Sequence, residues 1–199
     1  MPRLSLPTLL ARLDGLARDD ITSTRVQDLL ADGELDEAAL LPFVGTRPDK
    51  YARRLVRRDQ RFEVLVLTWA KGQATPVHNH AGNHGWVRLV RGQIREQTFR
   101  LVPGSAVPDA ELAASVPGRV GNVGLECTGD AVVATIGAVA TVDRVRAIHS
   151  LGNPAADVAV TLHVYSLPHD ACLAFDVERR TCERRQLALD PLPSLAASH

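Results

Sequence analysis

The chain has no excess of charge of either sign: lysine plus arginine and aspartate plus glutamate each number 23 in 199 residues. No global field favours a nucleic acid or an anionic membrane surface, and neither partner is expected. No apolar run approaches the roughly 20 residues that span a bilayer, and no charged segment followed by an apolar stretch opens the chain. A cytoplasmic, monomeric protein with a small neutral or zwitterionic ligand is the expectation. The three cysteines, Cys127, Cys172 and Cys182, are odd in number and lack C-x-x-C spacing. Neither a disulfide framework nor a zinc ribbon is suggested, and reduced thiols are expected. No internal repeat is visible, and the pairs Arg53-Arg54 and Arg57-Arg58 read as a solvated face.

What is present suffices for one core. With 45% hydrophobic residues in 199, the chain predicts a single domain over 1–199: a helical portion to residue 60, β structure over 61–190 and a loose tail over 191–199. Leu6, Leu9, Leu10, Leu13 and Leu16, then Val26, Leu29 and Leu30, recur at three and four, the period of helices. Thr22, Ser23 and Thr24 offer capping oxygens, Gly33 a stop, and a short helix is expected over 49–54. From Phe62 the period becomes two: Phe62, Val64, Val66 and Thr68 take one side of a strand, Leu65, Leu67 and Trp69 the other. Further strands are expected over 87–90, 93–101, 132–136, 138–142 and 158–166, with a long excursion over 100–121. The fold class is mainly β, a closed or double-sheet antiparallel barrel capped by N-terminal α-helices.

His78 and His80, in Pro-Val-His78-Asn-His80, stand two apart. On a strand they project to the same face and can meet one ion. Neutral imidazole suits Fe, Zn, Cu and Ni alike, so spacing leaves the metal open. His84 follows across a turn and is read as a lining or surface group; His169 and His199 receive no role.

The frame Gly72, His78, His80, Gly92 resembles the first cupin motif, G-x5-H-x-H-x4-E-x6-G, with Gly85 in place of the glutamate ligand. Gly137 and His149-Ser-Leu-Gly-Asn153 resemble the second, G-x5-P-x-G-x2-H-x3-N, with one extra residue and with Asp143 and Val145 near its Pro and Gly. This resemblance implies a cupin-type, jelly-roll-like barrel and makes His149 the third metal ligand. The segment 161–176, Thr-Leu-His-Val-Tyr-Ser-Leu-Pro-His-Asp-Ala-Cys-Leu-Ala-Phe-Asp, is similar to a more specific group, the cysteine dioxygenases, as is Tyr51-Ala-Arg-Arg-Leu-Val56. The resemblance covers about residues 51–176.

It implies Fe(II) on His78, His80 and His149, and L-cysteine and O2 as substrates giving cysteine sulfinate. It also implies Arg53, assisted by Tyr51, on the substrate carboxylate, and a Thr161, His163, Tyr165 relay with Tyr165 towards the reacting atoms. A guanidinium suits that task, being a planar fork charged at every working pH. Animal members carry a cysteine five residues after the second histidine, crosslinked to the tyrosine; Gly85 stands there, so no thioether to Tyr165 can form. Cys172 reads as a packed free thiol. Two alternatives stay open: a dioxygenase for 3-mercaptopropionate or another small thiol, whose relatives commonly carry glutamine where Arg53 stands, and a non-catalytic metal-binding cupin.

Overall fold

The structure, a computed structural model, describes residues 3–21, 23–80, 82–106, 118–142 and 147–193. The chain opens with β1 (Arg3–Leu4), α1 (Leu6–Asp14), α2 (Ser23–Ala31) and β2 (Glu34–Leu35), with β1 and β2 parallel. The Ser5 side chain accepts from the Thr8 N–H, satisfying one of the orphan donors at the start of α1, and Pro7 sits in the first turn, where no N–H is missed. Gly33 turns the chain out of α2 at φ 81°, a conformation other residues rarely take. The Thr22 capping oxygen lies outside the described residues.

Twelve further strands follow among the described residues: β3 (Ala52–Arg58), β4 (Glu63–Trp69), β5 (Val77–His78), β6 (Gly85–Arg91), β7 (Ile94–Leu101), β8 (Arg119–Val120), β9 (Leu125–Val133), β10 (Val139–Val142), β11 (Ile148–Gly152), β12 (Ala159–Tyr165), β13 (Ala171–Asp176) and β14 (Thr181–Gln186). They form two antiparallel sheets, ordered β10-β6-β12-β4-β3 and β8-β14-β13-β5-β11-β7-β9. The mainly β, double-sheet antiparallel architecture with N-terminal helices is thus present among the described residues.

The five-stranded sheet is buried on both faces, and its alternation assigns each residue to one of two cores. Val64, Val66, Trp86, Val90, Val160, Leu162 and Val164 pack outward against Leu9, Leu13, Val26 and Leu30 of the helices. Leu65, Leu67, Trp69, Val87, Leu89 and Tyr165 point inward and meet Ile94 and Leu151 of the facing sheet. A strand paired on both edges and covered on both faces reads as a near-continuous apolar run, so the polar residues of β12 stand out in it.

Three expectations are corrected. The helix over 49–54 is absent: β3 runs through these residues, pairing Ala52 with Thr68 and Arg53 with Leu67. Arginines at Arg53 and Arg54 hid its alternation, and those two side chains are buried, not solvated. Arg54 binds the carbonyls of Phe43, Gly45 and Pro191, so its charge is spent on backbone. The strand sought over 132–136 ends at Val133 and begins at Leu125, and β11, β13 and β14 were not foreseen. Residues 107–117 of the excursion, Asp143, Val145 and His199 lie outside the described residues.

Asn153 explains half of the second motif without chemistry. Its amide donates to the Trp69 and Asp157 carbonyls at 3.1 and 2.7 Å and accepts from the Ala155 N–H at 2.9 Å, with only 2% of its surface exposed. It ties the ends of β4 and β12 to the loop after β11. Asn153→Ala should lower stability in urea unfolding by about 1–3 kcal/mol, the cost of orphaned buried carbonyls; an unchanged midpoint would show that the loop relaxes to find other partners.

Candidate metal centre

His78 ends β5, His149 is the second residue of β11, and the two are direct cross-strand partners. His80 follows two residues later, beyond the strand end. The three rings lie 4.9–5.3 Å apart between centroids, and one nitrogen from each falls within 4.8 Å of the others. The pairing of β11 with β5 brings together residues that lie 69 apart in sequence, His80 and His149.

Hydrogen bonding decides which nitrogens face the centre. His78 Nδ1 lies 3.0 Å from the Pro76 carbonyl, which can only accept, so Nδ1 carries the proton and Nε2 is left as a lone pair. His149 Nδ1 lies 2.7 Å from Glu96 Oε1, so this nitrogen carries a proton and Nε2 is the one turned to the centre. His149 Nε2 and His80 Nε2 then stand 3.2 Å apart. Burial, and next the neighbouring His149, hold His78 and His80 well below the usual histidine range. They stay neutral, as metal ligands must be. This donor set fits a divalent first-row metal, with carboxylate and carbonyl supports behind two of the rings.

On the inward face of β12, one hydrogen-bonded line runs through the sheet. Trp69 Nε1–H donates to Thr161 Oγ1 at 2.9 Å, Thr161 Oγ1 meets His163 Nε2 at 2.8 Å, and His163 Nδ1 meets the Tyr165 hydroxyl at 3.2 Å. Indole can only donate, so the threonine proton is free to go to His163 Nε2. His163 Nδ1–H then donates to the tyrosine oxygen, and the Tyr165 proton is left to point elsewhere. Burial holds His163 down to about 3 and pushes the Tyr165 hydroxyl up, so a neutral ring orients a phenol that keeps its proton. The Tyr165 ring stands edge-on to His80 at 5.5 Å.

Arg53, from β3, enters the same cavity with 5% of its surface exposed. Its Nη2 donates to Glu63 Oε1 and to the His169 carbonyl, both at 2.8 Å, while Nη1 is buried with no partner among the described residues. Glu63 is fully buried, and Arg58 also lies 3.3 Å from its other oxygen. Burial raises the Glu63 pKa even so, and the two guanidinium groups oppose that rise. Tyr51 stacks on Trp69 at 4.6 Å and lines the cavity. So does Cys172, whose thiol burial pushes up to about 11, leaving it protonated.

The cavity measures about 30 Å3, lined by all three histidines with Arg53, Tyr165 and His163. A Cβ built on Gly85 would lie 3.1 Å from His80 Nδ1 and 3.3 Å from Tyr165 Cε1, so any side chain there would press on both rings.

The structure brings together Tyr51, Arg53, His78, His80, His149, His163 and Tyr165 around one cavity, with Thr161 behind. His84 stays outside the three-histidine group: its backbone binds Ser166 and its ring leans on Trp86. Sequence reasoning missed Glu96, Glu63 and His169. Glu96 and Glu63 reach the site through strand pairing and carry no spacing signal; His169, four residues past Tyr165, lay beyond a Pro168 turn that ended the alternation.

Residues 2–178 match the family model for cysteine dioxygenase type I. Among relatives, the chain is 26% identical over 160 residues to cysteine dioxygenase type 1 of Danio rerio, covering 79% of this chain and 72% of that protein. It is 25% identical over 175 residues to the Homo sapiens protein of the same name, covering 87% and 78%. On a match spanning nearly the whole chain, the protein belongs to the cysteine dioxygenase type I family, and is by that membership a dioxygenase.

Proposed function

We propose that the protein oxidises L-cysteine with O2 to cysteine sulfinate, using Fe(II) held by His78, His80 and His149. Both atoms of O2 join the sulfur, the thiol proton is released as the sulfinic acid ionises, and no outside reductant is needed. The observation that carries this reading is the buried, unpartnered Nη1 of Arg53 beside three converging imidazoles. A bare metal holder has no use for a guanidinium whose free edge faces the same cavity.

Iron would supply the binding of thiolate and oxygen and the electron transfer between them. The chain's own groups orient and protect. Glu63 and the His169 carbonyl hold Nη2 of Arg53, leaving Nη1 to take a carboxylate oxygen of the substrate. Tyr165 offers its proton into the cavity because His163 already donates to its oxygen. Thr161 and Trp69 fix the His163 ring, so the phenol is aimed before substrate arrives. The buried Cys172 thiol stays protonated and leaves the substrate as the reactive thiolate. Gly85 supports a crosslink-free site, because it brings no thiol to Tyr165.

One observation favours a second reading, oxygenation of 3-mercaptopropionate. Among the described residues no carboxylate lines the cavity, so an ammonium group would find a partner only at the metal.

Iron-loaded protein supplied with L-cysteine, 3-mercaptopropionate, homocysteine and cysteamine should form sulfinate fastest from L-cysteine; faster turnover of 3-mercaptopropionate would replace the substrate, and no sulfinate from any thiol would leave a metal-binding protein. Arg53→Ala should raise KM for L-cysteine on the order of tenfold to a hundredfold, the loss of a charged hydrogen bond, while iron content holds. Glu96→Ala should weaken metal binding by roughly 10–100-fold in a chelator competition, as loss of a group orienting a ligating histidine does; unchanged affinity would remove Glu96 from the centre.

A further inference from the structure

Of the histidines in the cavity, His169 is the one with no place in the relay or the metal set. It is 2% exposed and stacks on Tyr165 at 4.8 Å and 27°. Its carbonyl is clamped by Arg53 Nη2 at 2.8 Å. The Asn83 amide nitrogen lies 3.4 Å from its Nδ1. An amide nitrogen can only donate, so Nδ1 accepts and the single proton of the neutral ring sits on Nε2. That Nε2 is buried and has no partner among the described residues.

A buried N–H without an acceptor costs on the order of 1–3 kcal/mol, which an apolar ring of the same shape would avoid. The stack on Tyr165 and the fit against His80, 5.3 Å away, need only a flat ring. The imidazole is therefore explained by an acceptor that arrives from outside. Among the described residues three buried nitrogens without partners belong to groups lining this cavity, Arg53 Nη1, His169 Nε2 and His80 Nδ1; His80 belongs to the metal set, and one direct hydrogen bond joins the residues that carry the other two. A carboxylate has two oxygens and lone pairs for both.

Resting on the proposed thiol oxygenation, we infer that His169 is a specificity-determining residue, its Nε2–H donating to the second carboxylate oxygen of the substrate while Arg53 Nη1 takes the first. A guanidinium alone would hold the carboxylate as a pivot. Two donors from different elements fix its plane, and with it the direction in which the thiol-bearing carbon points. The site then discriminates acid-bearing thiols from thiols that lack the acid.

The test is anaerobic titration of the iron-loaded protein with L-cysteine and with cysteamine, which lacks the carboxylate. His169→Phe keeps the flat ring and removes the donor; His169→Gln keeps an amide N–H near the position of Nε2. His169→Phe should bind L-cysteine about tenfold more weakly, the worth of one charge-assisted hydrogen bond, with cysteamine affinity unchanged. His169→Gln should recover most of the loss, and in turnover KM rather than kcat should move. An unchanged affinity for L-cysteine in His169→Phe overturns the inference. So does an equal loss for both thiols, which would place Nε2 at the sulfur or oxygen end. Failure of the oxygenase reading shows separately, as wild-type protein that binds L-cysteine but forms no sulfinate, and the affinity ratio still decides the role of His169.

Discussion

Three buried imidazoles, with Nε2 of His80 and His149 only 3.2 Å apart, form an arrangement that dictates much of what surrounds it. Ring nitrogens this close share one proton in a hydrogen bond, or are joined by a cation. Burial keeps His78 and His80 neutral, and acceptors outside turn the Nε2 atoms of His78 and His149 inward: the Pro76 carbonyl behind His78 and Glu96 behind His149. Gly85 follows from the same crowding, since a Cβ there would press on the His80 ring.

The second constraint is the pleat of the five-stranded sheet. Its outward residues are held by the helices and its inward residues face the other sheet, so a strand such as β12 has no solvent side on which to place polar groups. Thr161 and His163 therefore survive in the interior only by satisfying each other, and Tyr165 completes the line. The same logic holds for Arg53, whose charge would be costly to bury alone; Glu63 and a carbonyl take one edge of the guanidinium and leave the other for a ligand.

Much of this was legible in the sequence where a period or a spacing carried it. Alternation from Phe62 to Trp69 sorted that strand's residues to their two faces, and the spacing in Thr161-x-His163-x-Tyr165 placed that set on one side of β12, whereas β5 ends at His78 and His80 reaches the same centre from beyond the strand. The strand over residues 52–58 was not legible, because the period of its side chains is broken by arginines that bury their charge against carbonyls and Glu63. Glu96 was invisible because its role comes from the pairing of β7 with β11, which no local pattern announces. His169 was missed for a related reason: it sits past a turn, and its meaning lies in an Nε2 without a partner rather than in any spacing.

Isotope tracing decides whether this three-histidine cavity passes both atoms of O2 to the sulfur of a small acid-bearing thiol. Iron-loaded protein supplied with L-cysteine under 18O-labelled oxygen in unlabelled water should yield sulfinate in which both oxygen atoms carry the label. Sulfinate with one labelled atom or none, or disulfide as the only product, would contradict the account.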